Sequence, residues 1–208
     1  MAILSPDKRR CEIAATDADW KAFSMKNLWK KQILAMLHAT LAIAFCANAQ
    51  AAPPTEYEIK AAFIHNIAKF VEWPASIGAS GVLRLCVLGQ GPFGEAAGGL
   101  RGKPVGSKVW EVVPASTRAN LRECQVLFIE ASEAGNLPRL LGSLRGSPVL
   151  TVGDSEGYAE QRVMVNFYLE ESKVRFEINN DAAARAGLKI SSQLLKLARI
   201  VKDSGEAK

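Results

Sequence analysis

The chain has 208 residues, 49% of them hydrophobic and 23% charged, a balance that excludes disordered and collagen-like classes and allows one domain or two small ones. The net charge is +5, but residues 1–49 carry seven Lys/Arg against four Asp/Glu and so account for +3 of it. What remains is nearly neutral, and only 7% of residues are aromatic, so neither a concentrated basic patch nor a base-stacking platform for nucleic acid is present.

Residues 1–24 hold Cys11, four acids and no periodic pattern, and read as an extension ahead of the true start. Met25 opens a second start, with Lys26, Lys30 and Lys31 as a positive region and Ile33 to Cys46 as an apolar run. Ala47-Asn48-Ala49 then supplies the small residues of a signal-peptidase site, with cleavage before Gln50, or before Ala52 by the next match. A membrane anchor needs about 20 apolar residues; this run is shorter and contains His38 and Thr40. Phe45 ahead of Cys46 argues against a lipoprotein. The reading is an extension over 1–24, a signal peptide over 25–49, a single domain over 50–208, and export to the periplasm.

The domain opens with a predicted helix from Glu56 to Trp73. Ile59, Phe63, Ile67, Phe70 and Val71 recur on one face, Glu58, His65, Lys69 and Glu72 on the other, and Pro74 stops it. Val82–Leu88 reads as a buried strand, followed by strands at Lys108–Val113, Val126–Ile129 and Val149–Val152. Helices are predicted between them near Phe93–Leu100, Thr117–Arg122 and Leu137–Arg145. Strands alternating with helices imply a mostly parallel sheet with right-handed crossovers. Val163–Leu169 and Lys173–Asn179 flank Glu170, Glu171 and Ser172 as an antiparallel hairpin. In its second strand Val174, Phe176 and Ile178 alternate with Arg175, Glu177 and Asn179, which places Arg175 and Glu177 on an open face. A short helix over Asp181–Ala186 stops at Gly187. A final amphipathic helix runs from Ser191 or Ser192 to Val201, burying Ile190, Leu194, Leu197, Ala198 and Val201.

Two cysteines remain in the exported part, Cys86 and Cys124. In an oxidising compartment two such residues pair. A structural staple and a redox-sensitive bridge both fit that reading.

Two motifs suggest chemistry. Gly89-Gln90-Gly91-Pro92-Phe93-Gly94 matches a dinucleotide fingerprint after a strand, with Glu111 able to pose as the ribose acid. Pro92 removes one of the N–H groups a phosphate needs, and the reading is a plain strand-to-helix turn without a cofactor. Gly153-Asp154-Ser155-Glu156-Gly157 matches a nucleophile elbow, but a hydrolase of that type needs a His downstream and none follows. One His and two widely spaced Cys cannot make a zinc site. The reading is a non-enzyme.

A set of longer strings points further. Asn66-Ile67-Ala68-Lys69-Phe70-Val71-Glu72-Trp73-Pro74 is followed in order by Cys86-Val87-Leu88-Gly89, Cys124-Gln125-Val126-Leu127-Phe128-Ile129, Pro148 through Gly157, Val174 through Asn179, and Leu188 through Arg199. From about Glu56 to Val201 the chain resembles the YfiR family of exported bacterial proteins. The resemblance implies a Rossmann-like α/β sandwich without a dinucleotide, and a homodimeric periplasmic repressor. Such a repressor binds the sensor domain of an inner-membrane diguanylate cyclase and is itself sequestered by an OmpA-like outer-membrane lipoprotein. Cys86 and Cys124 match the family's central disulfide. A second disulfide known in the family, near the glycine turn, has no counterpart here, which weakens any transfer of redox control. The alternative is a periplasmic small-ligand binder that feeds another receptor, such as a sensor kinase. Candidate partner-binding residues are Trp73, at a helix end before a proline, with Arg175 and Glu177 on the hairpin.

Overall fold

The structure is a computed structural model that describes residues 53–204, apart from 75, 76, 78, 79 and 118. The extension and signal peptide assigned to 1–49 lie outside the described residues.

Helix α1 spans Glu56–Ile67. Its start is fixed by a capping box: Glu58 N–H donates to Thr55 Oγ1 (3.3 Å) while Thr55 N–H donates to Glu58 Oε2 (2.7 Å), so two otherwise unpaired donors are satisfied reciprocally. The helix expected through Trp73 ends six residues early. A 3₁₀ turn at Ala68–Phe70 leads into strand β1, Val71–Glu72, which pairs antiparallel with β9, Lys189–Ile190. Tertiary pairing of a β-branched residue overrides the helical spacing there.

The remaining elements run β2 (Val82–Leu88), α2 (Phe93–Gly98), β3 (Pro104–Val105), β4 (Lys108–Ala115), β5 (Val126–Ile129), α3 (Leu137–Ser143), β6 (Leu150–Gly153), β7 (Val165–Glu170), β8 (Lys173–Ile178), α4 (Asn180–Arg185), α5 (Ser192–Leu195) and β10 (Arg199–Ile200). Only a 3₁₀ turn at Leu121–Glu123 occupies the place of the helix expected near 117–122. The main sheet has eight strands in the order β10-β8-β7-β6-β5-β2-β4-β3. Strands β4, β2, β5, β6 and β7 are mutually parallel, β8 is antiparallel to β7, and β10 is parallel to β8. This is the expected α/β architecture, a mostly parallel sheet with a C-terminal antiparallel hairpin. The hairpin turns through Glu171 and Ser172, both at positive φ, the requirement of a two-residue type I′ turn.

The final helix is a correction. Ser191 caps α5 through Gln193 N–H, but the helix stops at Leu195 and the chain extends into β10. Ile190 belongs to β9, and Leu197 is 74% exposed. The 3.6-residue spacing was satisfied without a helix, because strand pairing with β8 and the capture of Arg199 by Glu177 claim the segment instead.

Two apolar layers cover the sheet. One, under α1, α2, α4 and α5, holds Ile64, Ile67, Leu85, Phe93, Trp110, Phe128, Phe167 and Ile178. The other, under α3, holds Cys86, Leu88, Leu127, Ile129, Leu137 and Tyr158. His65, expected on an outer face, is half-buried and accepts at Nδ1 from Trp110 Nε1–H (2.9 Å).

Candidate functional site

Open parallel sheets bind ligands outside the carboxyl ends of the strands, where chain order reverses. Here that point lies between β2, whose chain continues to β4 on one side, and β5 on the other. The loop Gly89–Gly94 leaves β2 at this crevice, and Glu130 follows β5 directly. Glu130 fills the loop. Its Oε1 accepts from Phe93 N–H (3.2 Å), and a Cβ on Gly91 would collide with its carboxylate. Ser132 Oγ accepts from Gln90 N–H (2.9 Å). The glycines therefore admit the protein's own carboxylate where a dinucleotide fold would admit pyrophosphate. Glu111 is also engaged elsewhere, paired across the strands with Arg84 at 2.7 Å.

Beside Glu130 lies a second ion set. Lys60 on α1 is 4% exposed, bonds Asp154 at 2.8 Å, and also pairs with Glu56 one turn away. Burial pushes the Lys60 pKa down, but bonds to Asp154 and Glu56 outweigh it and the net shift is upward. Lys60 thus stays charged and is no base. Burial raises the Glu130 carboxyl, with Asp154 adding to the rise against the pull of Phe93 N–H and Lys60. In the Gly153–Gly157 motif, a Cβ on Gly153 would strike the Tyr158 ring, so that glycine serves packing. The Ser155 carbonyl accepts from Asn166 Nδ2 (3.0 Å). Among the described residues no group of three or more His, Cys, Asp or Glu could hold a metal ion.

The hairpin presents the other surface. Arg175, Glu177 and Tyr168 face away from Phe167, Phe176 and Ile178, as alternation requires. Arg175 is exposed and pairs loosely with Glu170 at 3.5 Å. Glu177 is not on an open face: it is 2% exposed, takes a bond from Asn166 Nδ2 (2.9 Å), and grips Arg199. The cause is β10, which lies along β8 with Arg199 opposite Glu177. The Arg199 guanidinium also stacks 4.3 Å over the Tyr168 ring. Trp73 is half-buried against the opposite apolar layer and donates from Nε1 to the Gln125 carbonyl (3.4 Å). Gln125 precedes β5, three strand intervals from β8, about 14 Å at normal spacing. Trp73 and Arg175 therefore do not share a patch.

A family model described as YfiR/HmsC-like matches residues 57–199. The chain belongs to the YfiR/HmsC-like family. A crystal structure of a conserved domain protein from Vibrio cholerae O1 biovar El Tor str. N16961 superposes with a TM-score of 0.50 at 12% identity, covering 73% of this chain and 62% of that one. At that identity the likeness is one of fold.

YfiR-like proteins are periplasmic and regulatory. In keeping with export, Cys86 on β2 and Cys124 before β5 are bonded, with Cα atoms 5.9 Å apart across 38 positions. Both are buried in the second apolar layer. No helix among the described residues is long and apolar enough to cross a membrane. Sequence reasoning missed Lys60 and Glu130. The available clue for Glu130 was its position: a carboxylate directly after a fully apolar strand, at the same edge as a glycine loop.

Proposed function

We propose that this YfiR-like protein is a periplasmic repressor. It binds the sensor domain of an inner-membrane diguanylate cyclase and lowers cyclic-di-GMP and biofilm formation. The observation that carries the reading is the family match over residues 57–199. The filled crevice supports it: with Glu130 in the glycine loop and Lys60 held by two carboxylates, that edge offers neither an anion site nor an activated nucleophile. A small ligand at that edge would need the space that Glu130 takes. In this reading the protein works as a homodimer and is drawn off its target by an OmpA-like lipoprotein.

Repression needs only a difference in affinity for the two states of the cyclase. Moving a 1:99 equilibrium to 99:1 takes about 5.5 kcal/mol, within reach of one standard-size interface. Cyclic-di-GMP measured in wild type, each single deletion and the double deletion tests the reading. It should rise when this gene is deleted and return when the cyclase is deleted as well. No rise in the single deletion overturns the proposal.

A further inference from the structure

The C-terminal segment is fastened in an unusual way. Two of its apolar side chains face solvent, Leu197 at 74% and Ile200 at 51% exposure, while two of its charged ones, Arg199 and Asp203, are anchored. Arg199 is held by Glu177. Asp203, 4% exposed, is held by three donors from separate places in the fold: Asn179 Nδ2 (2.7 Å), Arg185 (2.7 Å) and Arg162 Nε (3.0 Å). Asn179 and Arg185 sit at the two ends of α4. Main-chain bonds complete the attachment, from Val201 N–H to the Ile178 carbonyl (3.0 Å) and from Ser204 N–H to the Glu160 carbonyl (3.1 Å). Asp203 lies in a groove of about 830 Å³ that Arg145, Arg162 and Arg185 also line, over an apolar wall that includes Leu144 and Met164.

We propose that residues 199–204 form a displaceable latch, and that the β8 edge with the Arg162–Arg185–Asn179 cradle docks an extended protein segment carrying a carboxylate. Three observations lead there. Releasing the segment exposes little new apolar surface, so the free energy of opening is set by ion pairs and a few hydrogen bonds. The strand it uncovers, β8, then has an unpaired edge, which an extended chain can extend by main-chain bonding. The cradle is basic, and it already demonstrates its specificity by holding a carboxylate that lies four residues beyond an arginine. The occupant is a different protein. An identical tail from a second copy competes with the attached one, whose effective concentration is in the mM range for a short tether, and gains nothing over it. A partner segment with a longer strand does gain.

The test uses the mature full chain and a synthetic peptide of residues 197–208. Asp203→Asn loosens the latch and leaves the cradle intact. It should bind the peptide at least about tenfold more tightly than wild type. Replacing Asp203 by Asn in the peptide, or adding Arg185→Ala to the protein, should cost about tenfold each, as for a lost charge-assisted bond. Equal binding by wild type and Asp203→Asn, or indifference to the peptide's aspartate, overturns the proposal. So does a peptide-free oligomer of the Asp203→Asn chain larger than that of wild type, which would make a second copy the occupant. Should that variant fail to fold, hydrogen exchange of wild type decides. The Val201 and Ser204 amides should exchange at least about a hundredfold faster than the β5 and β6 ladder. Protection equal to the ladder means that the segment is part of the core, and the latch is refuted.

Discussion

The two halves of the sheet are held together by different physics. Around β2, β5 and β6 both faces are covered, and Leu85, Leu88, Val126, Leu127, Phe128, Ile129, Leu150 and Val152 are fully buried. A disulfide ties this half across its second layer. Around β8 and β10 one face is polar, and order depends on buried carboxylates, Glu177 and Asp203, each holding exposed arginines. The first half is held mainly by dispersion and apolar burial, which added salt screens little. The second depends on charge, and so is the half that solution conditions and partners can adjust.

Truncation in the apolar half should do the most damage. Phe128 is fully buried and its ring stacks on Phe93 with centroids 3.7 Å apart. Phe128→Ala should cost about 3–5 kcal/mol by denaturant unfolding. A loss below about 1 kcal/mol would erase the contrast between the halves. Replacing both Cys86 and Cys124 by Ala should cost about 2–4 kcal/mol, mainly by freeing the unfolded chain. Mass spectrometry of unreduced protein should first find both thiols bonded.

At the charged end the expected cost is smaller. Glu177→Ala removes the partner of Arg199 and one of two acceptors for Asn166 Nδ2. Asn166 retains the Ser155 carbonyl, and Arg199 is free to hydrate, so about 1–3 kcal/mol is expected. Added salt should weaken wild type more than Glu177→Ala. Equal salt sensitivity would show that the pair does not hold this end.

Protonation reaches the apolar half at two points, His65 and Glu130. His65 accepts a bond from the buried Trp110 and is therefore neutral in the fold. Burial lowers its pKa, and the Lys69 and Lys103 charges lower it further. A histidine depressed in the fold contributes stability that is complete above its unfolded value, near 6.5, and is lost as pH falls from there through the folded pKa. Glu130 works in the opposite sense, since its raised pKa makes protonation on acidification favourable to the fold. Melting temperatures of wild type and His65→Gln between pH 7.5 and 5 isolate the histidine. The variant should lose the acid-side decline, and parallel profiles would assign that decline to other groups.

Much of this contrast was legible beforehand, and the misreadings that bear on the partner-facing residues fall in the charged half. The apolar half declares itself through continuous runs such as Val126–Ile129, which only a strand covered on both faces tolerates. The cysteine pair follows from export. The charged half was misread twice for the same reason. Alternation correctly placed Arg175 and Glu177 on one face, but period-2 patterning says nothing of what covers a face, and Glu177 is covered by a strand 22 residues away. The final helix was inferred from spacing, while the segment answers to Glu177 and to the cradle around Asp203. Charge pairing between distant residues leaves no local period, so neither those contacts nor the capture of Lys60 by Asp154 can be read from a window of sequence.

The smallest stability effect should carry the most functional information. Arg175 is exposed, and its one ion pair, to Glu170 at 3.5 Å, lies in water. Such pairs contribute about 0–1 kcal/mol, so Arg175→Ala should unfold within about 0.5 kcal/mol of wild type. Arginine is nonetheless over-represented among residues that dominate interfaces, because its planar fork can be desolvated against a partner. If the open hairpin face contacts the cyclase, Arg175→Ala and Arg175→Glu should raise cyclic-di-GMP toward the deletion level with an unchanged melting curve. Trp73→Ala is a poorer probe of contact, because Trp73 also packs on the core and bonds Gln125, and its loss mixes folding with binding. Full repression by Arg175→Glu would remove this face from the interface and leave the charged half without a regulatory role at that position.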